Sequence, residues 1–328
     1  MTLLPQPADT SRRYTYVAAE DLAERYFESS PLAKDQLVWV LTSQGRKKRK
    51  KGAVLHGSKN ADGDEGSNAI RTELFLRARV VSEGDQDNAD RILVRYPKGS
   101  TYRVRSNFLL PVLEPEVVTS DRIVLVVPET PDYRRASVVH TCVGESFLEI
   151  GCDYGMCVDR VRKALAEVGA VPLVATTSIS TSTEDEQCNE NANQDITPKD
   201  GNNNGDTSNG SNQVACLGVD KSPESIEIAM ERYPKSSFSI EDALSDEGTA
   251  KMRALCKQKL IGGYPNVVAI DINGNRLLDH VLECVSRVMN PAGDDVVIGE
   301  DWDLPRLIIV KSRFLHEEVK RQQGRLQV

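Results

Sequence analysis

Leu148-Glu149-Ile150-Gly151-Cys152-Asp153-Tyr154-Gly155 lies where an apolar strand turns into a helix. Glycines at 151 and 155 permit a tight turn and leave room for a ligand beside the strand end. A dinucleotide fingerprint, Gly-x-Gly-x-x-Gly, needs glycine where Asp153 stands. A carboxylate facing two phosphates is repulsive, so the loop disfavours a pyrophosphate and suits a cationic cofactor. A second feature is a run of six cations: Arg46, Lys47, Lys48, Arg49, Lys50 and Lys51. Such a run reads as a nuclear import address, a nucleic-acid contact or a solvated loop. The seven cysteines form no Cys-x-x-Cys pair and the four histidines are dispersed, so no zinc-ligand spacing exists. Buried reduced thiols are the expectation for those cysteines, since free Cys packs like a small hydrophobe.

The acid-x-Gly-x-x-x-Gly pattern of Glu149, Gly151 and Gly155 resembles the first motif of the Rossmann-like (class I) S-adenosylmethionine (SAM) dependent methyltransferases. That family carries an acid at the end of the next strand, and Leu217-Gly218-Val219-Asp220-Lys221 has one in Asp220. Asp220 follows Gly155 by 65 residues, against roughly 20 in such a unit. Removing the 40 polar residues 174–213 leaves 25, which fits. Phe238-Ser239-Ile240-Glu241-Asp242-Ala243 resembles the third motif, and residues 266–276, with Asp271 and Asn273, resemble the fourth. The resemblance spans about residues 121–315, nearly two-thirds of the chain.

It implies a site residue by residue. Gly151, Cys152, Asp153 and Gly155 would shape the methionine end of SAM, and Glu149 would orient that loop or reach the amino group. Asp220, with Lys221 beside it, would accept from the ribose hydroxyls. Asp242 would take the adenine amino protons, with the Ala243 amide alongside. Asp271 would act as general base or Asn273 would orient a nucleophile; both also suit a plain turn after a buried strand. The fourth motif is not Asn/Asp-Pro-Pro-aromatic, which disfavours an exocyclic amine as acceptor. Asp271 with Lys311 would suit a ribose 2′-O-methyltransferase, but the rest of that family's Lys-Asp-Lys-Glu set is missing, and Lys311 reads as a surface lysine.

These residues need elements to hold them. From residue 146 onward, apolar strands at 147–150, 214–219, 267–270 and 307–310 alternate with helices at 158–168, 223–232 and 277–289. Such alternation predicts a parallel sheet covered on both faces. After residue 310 only a charged helix follows, so the sheet is expected to lack its usual antiparallel hairpin and to look truncated. Residues 176–213 are almost devoid of large apolar side chains, which predicts a disordered insertion. Upstream, short β-like runs at 37–40, 75–81, 91–96 and 101–104 predict a small all-β barrel. Their order resembles an SH3-like barrel of the Tudor or agenet kind. Its aromatics Trp39, Tyr96 and Tyr102 either pack a core or line a methyl-lysine cage. Residues 1–33 hold one helical stretch, at 18–28. The expected organisation is an N-terminal helical extension (1–33), a basic SH3-like barrel (34–115) and a methyltransferase-like α/β domain (121–328).

Charge separates these parts. Residues 34–107 hold 16 Lys+Arg and 9 Asp+Glu, a balance of +7, within a chain of net charge −8. No run of about 18 apolar residues exists to span a membrane. The first 27 residues lack an apolar signal segment and carry Asp9, Glu20, Asp21 and Glu24. An intracellular protein, nuclear or cytoplasmic, is expected. The function this implies is SAM-dependent methyl transfer to RNA or protein. The alternative is a non-catalytic nucleic-acid- or chromatin-binding adaptor on a methyltransferase scaffold.

Overall fold

The computed structural model describes residues 3–8, 11–22, 32–40, 77–82, 91–97, 99–115, 122–169, 213–272, 278–290 and 303–326. Two sheets organise them. Strand β1 (Tyr14–Ala18) is followed by β2 (Leu37–Val40), β3 (Arg77–Ser82), β4 (Arg91–Arg95), β5 (Thr101–Arg105) and β6 (Leu109–Pro111). The chain then runs through β7 (Arg122–Val127), α1 (Thr130–His140), β8 (Phe147–Ile150), α2 (Met156–Gly169), β9 (Cys216–Asp220) and α3 (Pro223–Arg232). It ends with β10 (Ser237–Ile240), α4 (Asp246–Lys259), β11 (Val267–Ile270), α5 (Leu278–Met289), β12 (Leu307–Lys311) and α6 (Arg313–Leu326).

Seven strands form a sheet in the order β1-β7-β12-β11-β8-β9-β10, and every neighbouring pair is parallel. Its central strands are buried on both faces because each face has its own helices. Ile123, Phe147, Val267 and Leu307 pack with Tyr133 of α1, Val158 of α2 and Ile226 of α3. The alternate residues Val124, Leu148, Val268 and Ile308 pack with Met252 of α4, Val281 of α5 and Leu315 of α6. That is why these strands read as continuous apolar runs.

Two expectations are corrected. The sheet is not truncated beyond β12 as expected: β7 and β1 continue it, both parallel. Residues 14–18 form a strand rather than part of a helical extension, because Tyr14 and Tyr16 face one core layer and Val17 the other. Of the helix expected at 18–28, a 3-10 turn at Ala19–Asp21 and a helical Leu22 are described, and residues 23–31 lie outside the described residues. The smaller sheet is therefore inserted between two strands of the larger one. Of the expected insertion at 176–213, residues 176–212 lie outside the described residues.

The smaller sheet is antiparallel, in the order β5-β4-β3-β2-β6, with its own core of Val38, Val80, Ile92, Val94 and Val104. It docks at the foot of the larger sheet, beside the N-terminal ends of the strands. Trp39 is buried there among residues of α1, so it belongs to an interface core and not to a methyl-lysine cage. Tyr102 pairs with Val94 on the opposite face and is 64% exposed. Arg77 is buried against the Trp39 ring and donates to the carbonyl oxygens of Val138 and Thr141 at 2.8 and 2.7 Å. The Leu113 amide donates to His140 Nδ1 at 3.2 Å. Arg306, just before β12, binds both oxygens of Glu145 and the His140 carbonyl. Burial, then the charges of Arg306 and Arg77, depress the His140 pKa to about 3.

Candidate functional site

The chain order reverses direction across the sheet at β8. Its successor β9 lies on one side, while β11 and β12 lie on the other. A crevice at the C-terminal ends of the strands forms at such a switch point. The loop after β8 occupies it. The amides of Gly151 and Cys152 donate to the Val219 carbonyl of β9 at 2.8 and 3.1 Å, and the Asp271 amide after β11 donates to the Ile150 carbonyl at 2.8 Å. The loop is thus stitched to both neighbours.

Gly151 is required by this geometry. Its φ is +78°, and an added Cβ would fall 2.1 Å from the Asp271 carbonyl oxygen. Gly155, at φ +75°, leaves space filled by the Phe238 ring of β10, 2.5 Å from where a Cβ would stand. Between them Asp153 is exposed and adopts φ +47°, a left-handed conformation that aspartate tolerates better than most residues. Its amide donates to Asp220 Oδ2 at 3.0 Å, across 67 positions of sequence. The Ser222 amide donates to Asp220 Oδ1 at 2.9 Å. Each Asp220 oxygen has one lone pair left for another donor.

The other expected site residues are placed as follows. Lys221 is exposed beside Asp220. Asp242, after β10, is exposed and accepts from the Leu244 amide at 3.1 Å, while Ala243 is buried in the core. Cys152 is buried, and burial raises its thiol pKa. Asp271 is ion-paired: both its oxygens lie 2.9 Å from Lys311 Nζ. Lys311 is therefore no surface lysine, its side chain being only 17% exposed. Asn273 and the run Arg46 to Lys51 lie outside the described residues. No group of three metal-ligand side chains occurs among the described residues, and their six free cysteines are all buried.

Glu149 is the least ordinary member. It is 2% exposed, accepts from the Tyr133 hydroxyl of α1 at 3.0 Å, and leaves Oε2 buried without a hydrogen-bond partner. Burial, reinforced by the Asp271 charge, raises its pKa to about 8 despite the Tyr133 bond. Sequence reasoning missed Tyr133 and Phe238, since neither carries a spacing signal. The glycines at 155 and 218, whose missing side chains make room for the Phe238 ring, were the one available hint.

Glu149 and His140 set opposite pH dependences. His140 titrates near 3 when folded and 6.5 when unfolded, so between these values the unfolded chain binds the extra proton and stability rises with pH. Glu149 titrates near 8 when folded and 4.5 when unfolded, so between these values stability falls as pH rises. The two cancel between pH 4.5 and 6.5. Stability from this pair is expected to drop outside that window by about 1.4 kcal/mol per pH unit, towards 3 and towards 8. Urea melts across that range check this: Glu149→Gln should abolish the alkaline decline, leave the acid limb, and turn the plateau between 4.5 and 6.5 into a rise with pH. An unchanged alkaline limb in the variant would refute the assignment.

No family model, curated protein or solved structure matches this chain. No helix among the described residues is long and apolar enough to cross a membrane.

Proposed function

We propose that the chain is a SAM-dependent methyltransferase of the Rossmann-like kind, acting on a macromolecular acceptor, RNA or protein, and that its smaller sheet is an SH3-like barrel. The observation that carries the reading is the convergence of the Gly151–Gly155 loop with Asp220 at the switch point of a parallel sheet, tied by the Asp153 amide. Two features of the crevice fit the cofactor. Glu149 Oε2 is a buried polar atom without a partner, and Gly151 brings bare backbone beside the strand ends. The chemistry such a cofactor supplies is an activated methyl group on a sulfonium centre.

Each residue then has a task in this reading. Asp220 accepts the two ribose hydroxyls with its remaining lone pairs. Asp242, exposed after β10, accepts the adenine amino protons beside the Ala243 amide. Gly151, Cys152, Asp153 and Gly155 form the wall along the methionine portion, with Glu149 beneath it and Lys221 at the rim. On the other side of the switch point Lys311 holds and orients the Asp271 carboxylate, so the acceptor meets a paired acid and base. Catalysis is then mainly positioning, since the leaving group is already activated.

Calorimetric titration with SAM and with S-adenosylhomocysteine tests the reading. Both should bind, and Asp220→Ala should weaken binding by about 1–3 kcal/mol, the scale for hydrogen bonds to a charged group. Absence of heat with the unaltered protein would end the cofactor claim. Binding without methyl transfer to total RNA or protein would favour a scaffold role.

A further inference from the structure

Glu149 stands within an apolar layer. Its register partners are Ala269 of β11 and Gly218 of β9, so neither neighbouring strand sets a polar side chain beside it. The Phe238 ring lies against Gly218 and closes the layer on the β10 side. Helices α1 and α2 pack over the same face through Tyr133 and Val158. The Tyr133 hydroxyl donates to Oε1, and Oε2 is buried without a hydrogen-bond partner. A side chain that only filled this space would be apolar, because a buried acid with one hydrogen bond costs stability.

The groups that act on Glu149 come from five elements. Helix α1 contributes the Tyr133 hydroxyl and the Arg134 charge, the weakest of these influences. Helix α2 contributes the Cys157 thiol, and the loop after β8 the Cys152 thiol. Burial pushes both thiols up, so they stay neutral. The end of β11 contributes the Asp271 carboxylate, which Lys311 of β12 holds. Burial, opposed by the Tyr133 bond and reinforced by the Asp271 charge, keeps the Glu149 carboxyl protonated up to about pH 8. Since Tyr133 donates to Oε1, that proton belongs on Oε2.

The position of this acid gives it a use. Glu149 lies two residues before Gly151, at the root of the loop that faces the crevice. A positive charge brought near a carboxyl favours its ionised form, and low-dielectric surroundings strengthen the effect. The influence needs no direct contact, so it can reach a side chain that is 2% exposed.

We propose that Glu149 is the charge sensor of the crevice: a cationic ligand against the Gly151–Gly155 loop draws its carboxyl into the ionised form, the O–H bond at Oε2 breaks, and the proton leaves to solvent. The inference rests on the SAM reading for its ligand. Tyr133 is a positioning residue here, since its hydroxyl holds Oε1 and steadies the carboxylate once formed. Below about pH 8 the free protein carries the proton and the complex does not, so affinity rises with pH and then levels off.

Calorimetric titration of the full chain with SAM, in two buffers of different ionisation enthalpy, counts the proton. At about pH 7 about one proton should leave per SAM bound. From about pH 6 to about 7.5 the affinity should rise by up to about tenfold per pH unit. Glu149→Gln has the shape of the neutral acid. It should bind without releasing a proton, and its affinity should stay flat over the same range. Tyr133→Phe should still release the proton, but the pH at which release fades should move up, because the carboxylate has lost its donor. A change in packing alone would not move that midpoint. The count on the unaltered protein decides the matter even where a variant fails to fold. SAM binding without proton release, or equal release from Glu149→Gln, would overturn this inference and leave the cofactor reading standing. Absence of heat in both buffers would end the two together.

Discussion

Gly151→Ala is expected to destabilise the chain by about 3–5 kcal/mol, whereas Gly144→Ala costs about 1 kcal/mol. Both glycines have positive φ, +78° and +86°, so the backbone strain of an alanine is nearly the same at each. They differ in what a Cβ would meet. At Gly144 nothing lies within 4 Å, but at Gly151 the Asp271 carbonyl oxygen is 2.1 Å away. That oxygen belongs to the backbone at the end of β11, so relief means moving the strand end, and with it the Asp271–Lys311 pair. Urea unfolding of the two variants measures the difference, and equal losses would show that the close approach does not matter. SAM affinity, where it can be measured, should fall for Gly151→Ala and stay unchanged for Gly144→Ala.

Glu145→Ala should cost about 3–5 kcal/mol, the scale for removing one partner of a buried ion pair. Glu145 accepts from Arg306 Nη2 and from the Cys142 amide, at 2.6 and 2.7 Å, and its side chain is 7% exposed. Without it, the Arg306 guanidinium stays buried with only the His140 carbonyl and the Cys142 sulfur in reach. Its Nη1 already has no partner. Replacing both residues, Glu145→Leu with Arg306→Met, should recover most of the loss, since apolar pairs of similar volume substitute well for buried ion pairs. A double variant as unstable as Glu145→Ala would mean that the pair does more than neutralise charge. The pair sits before β8 and β12, at the opposite end of the sheet from the Gly151 loop. Cofactor affinity per folded molecule should therefore be unaffected.

Much of the central sheet was legible. Strands β8, β9, β11 and β12 read as apolar runs because helices cover both faces, and α3 starts at Ser222-Pro223, where the serine side chain accepts from the Ser225 amide as an N-cap. The strands β2 to β5 were visible for a similar local reason, short apolar alternation between polar turns. Helices α1 and α4 were not recognised. α1 follows a Pro-Glu-Thr-Pro stretch that reads as a break, although its proline falls in the first turn, where no amide donor is needed. The strand at residues 14–18 was missed because its partner among the described residues, β7, lies more than 100 residues away.

The sequence by itself determined the glycine loop after β8, the acids at the ends of β9, β10 and β11, and the concentration of positive charge in the smaller sheet. These depend on residue type and short spacing, which follow from 3.6- and 2-residue periods and from turn chemistry. Only the tertiary structure decided that β1 and β7 extend the sheet beyond β12, that the second sheet is inserted between them, and that Trp39 serves an interface. It alone paired Lys311 with Asp271 across 40 positions, and set Tyr133 against Glu149. The charge states follow the same division. Sequence names Glu149 as an acid, but its pKa of about 8 arises from desolvation by side chains that reach it only in the folded chain.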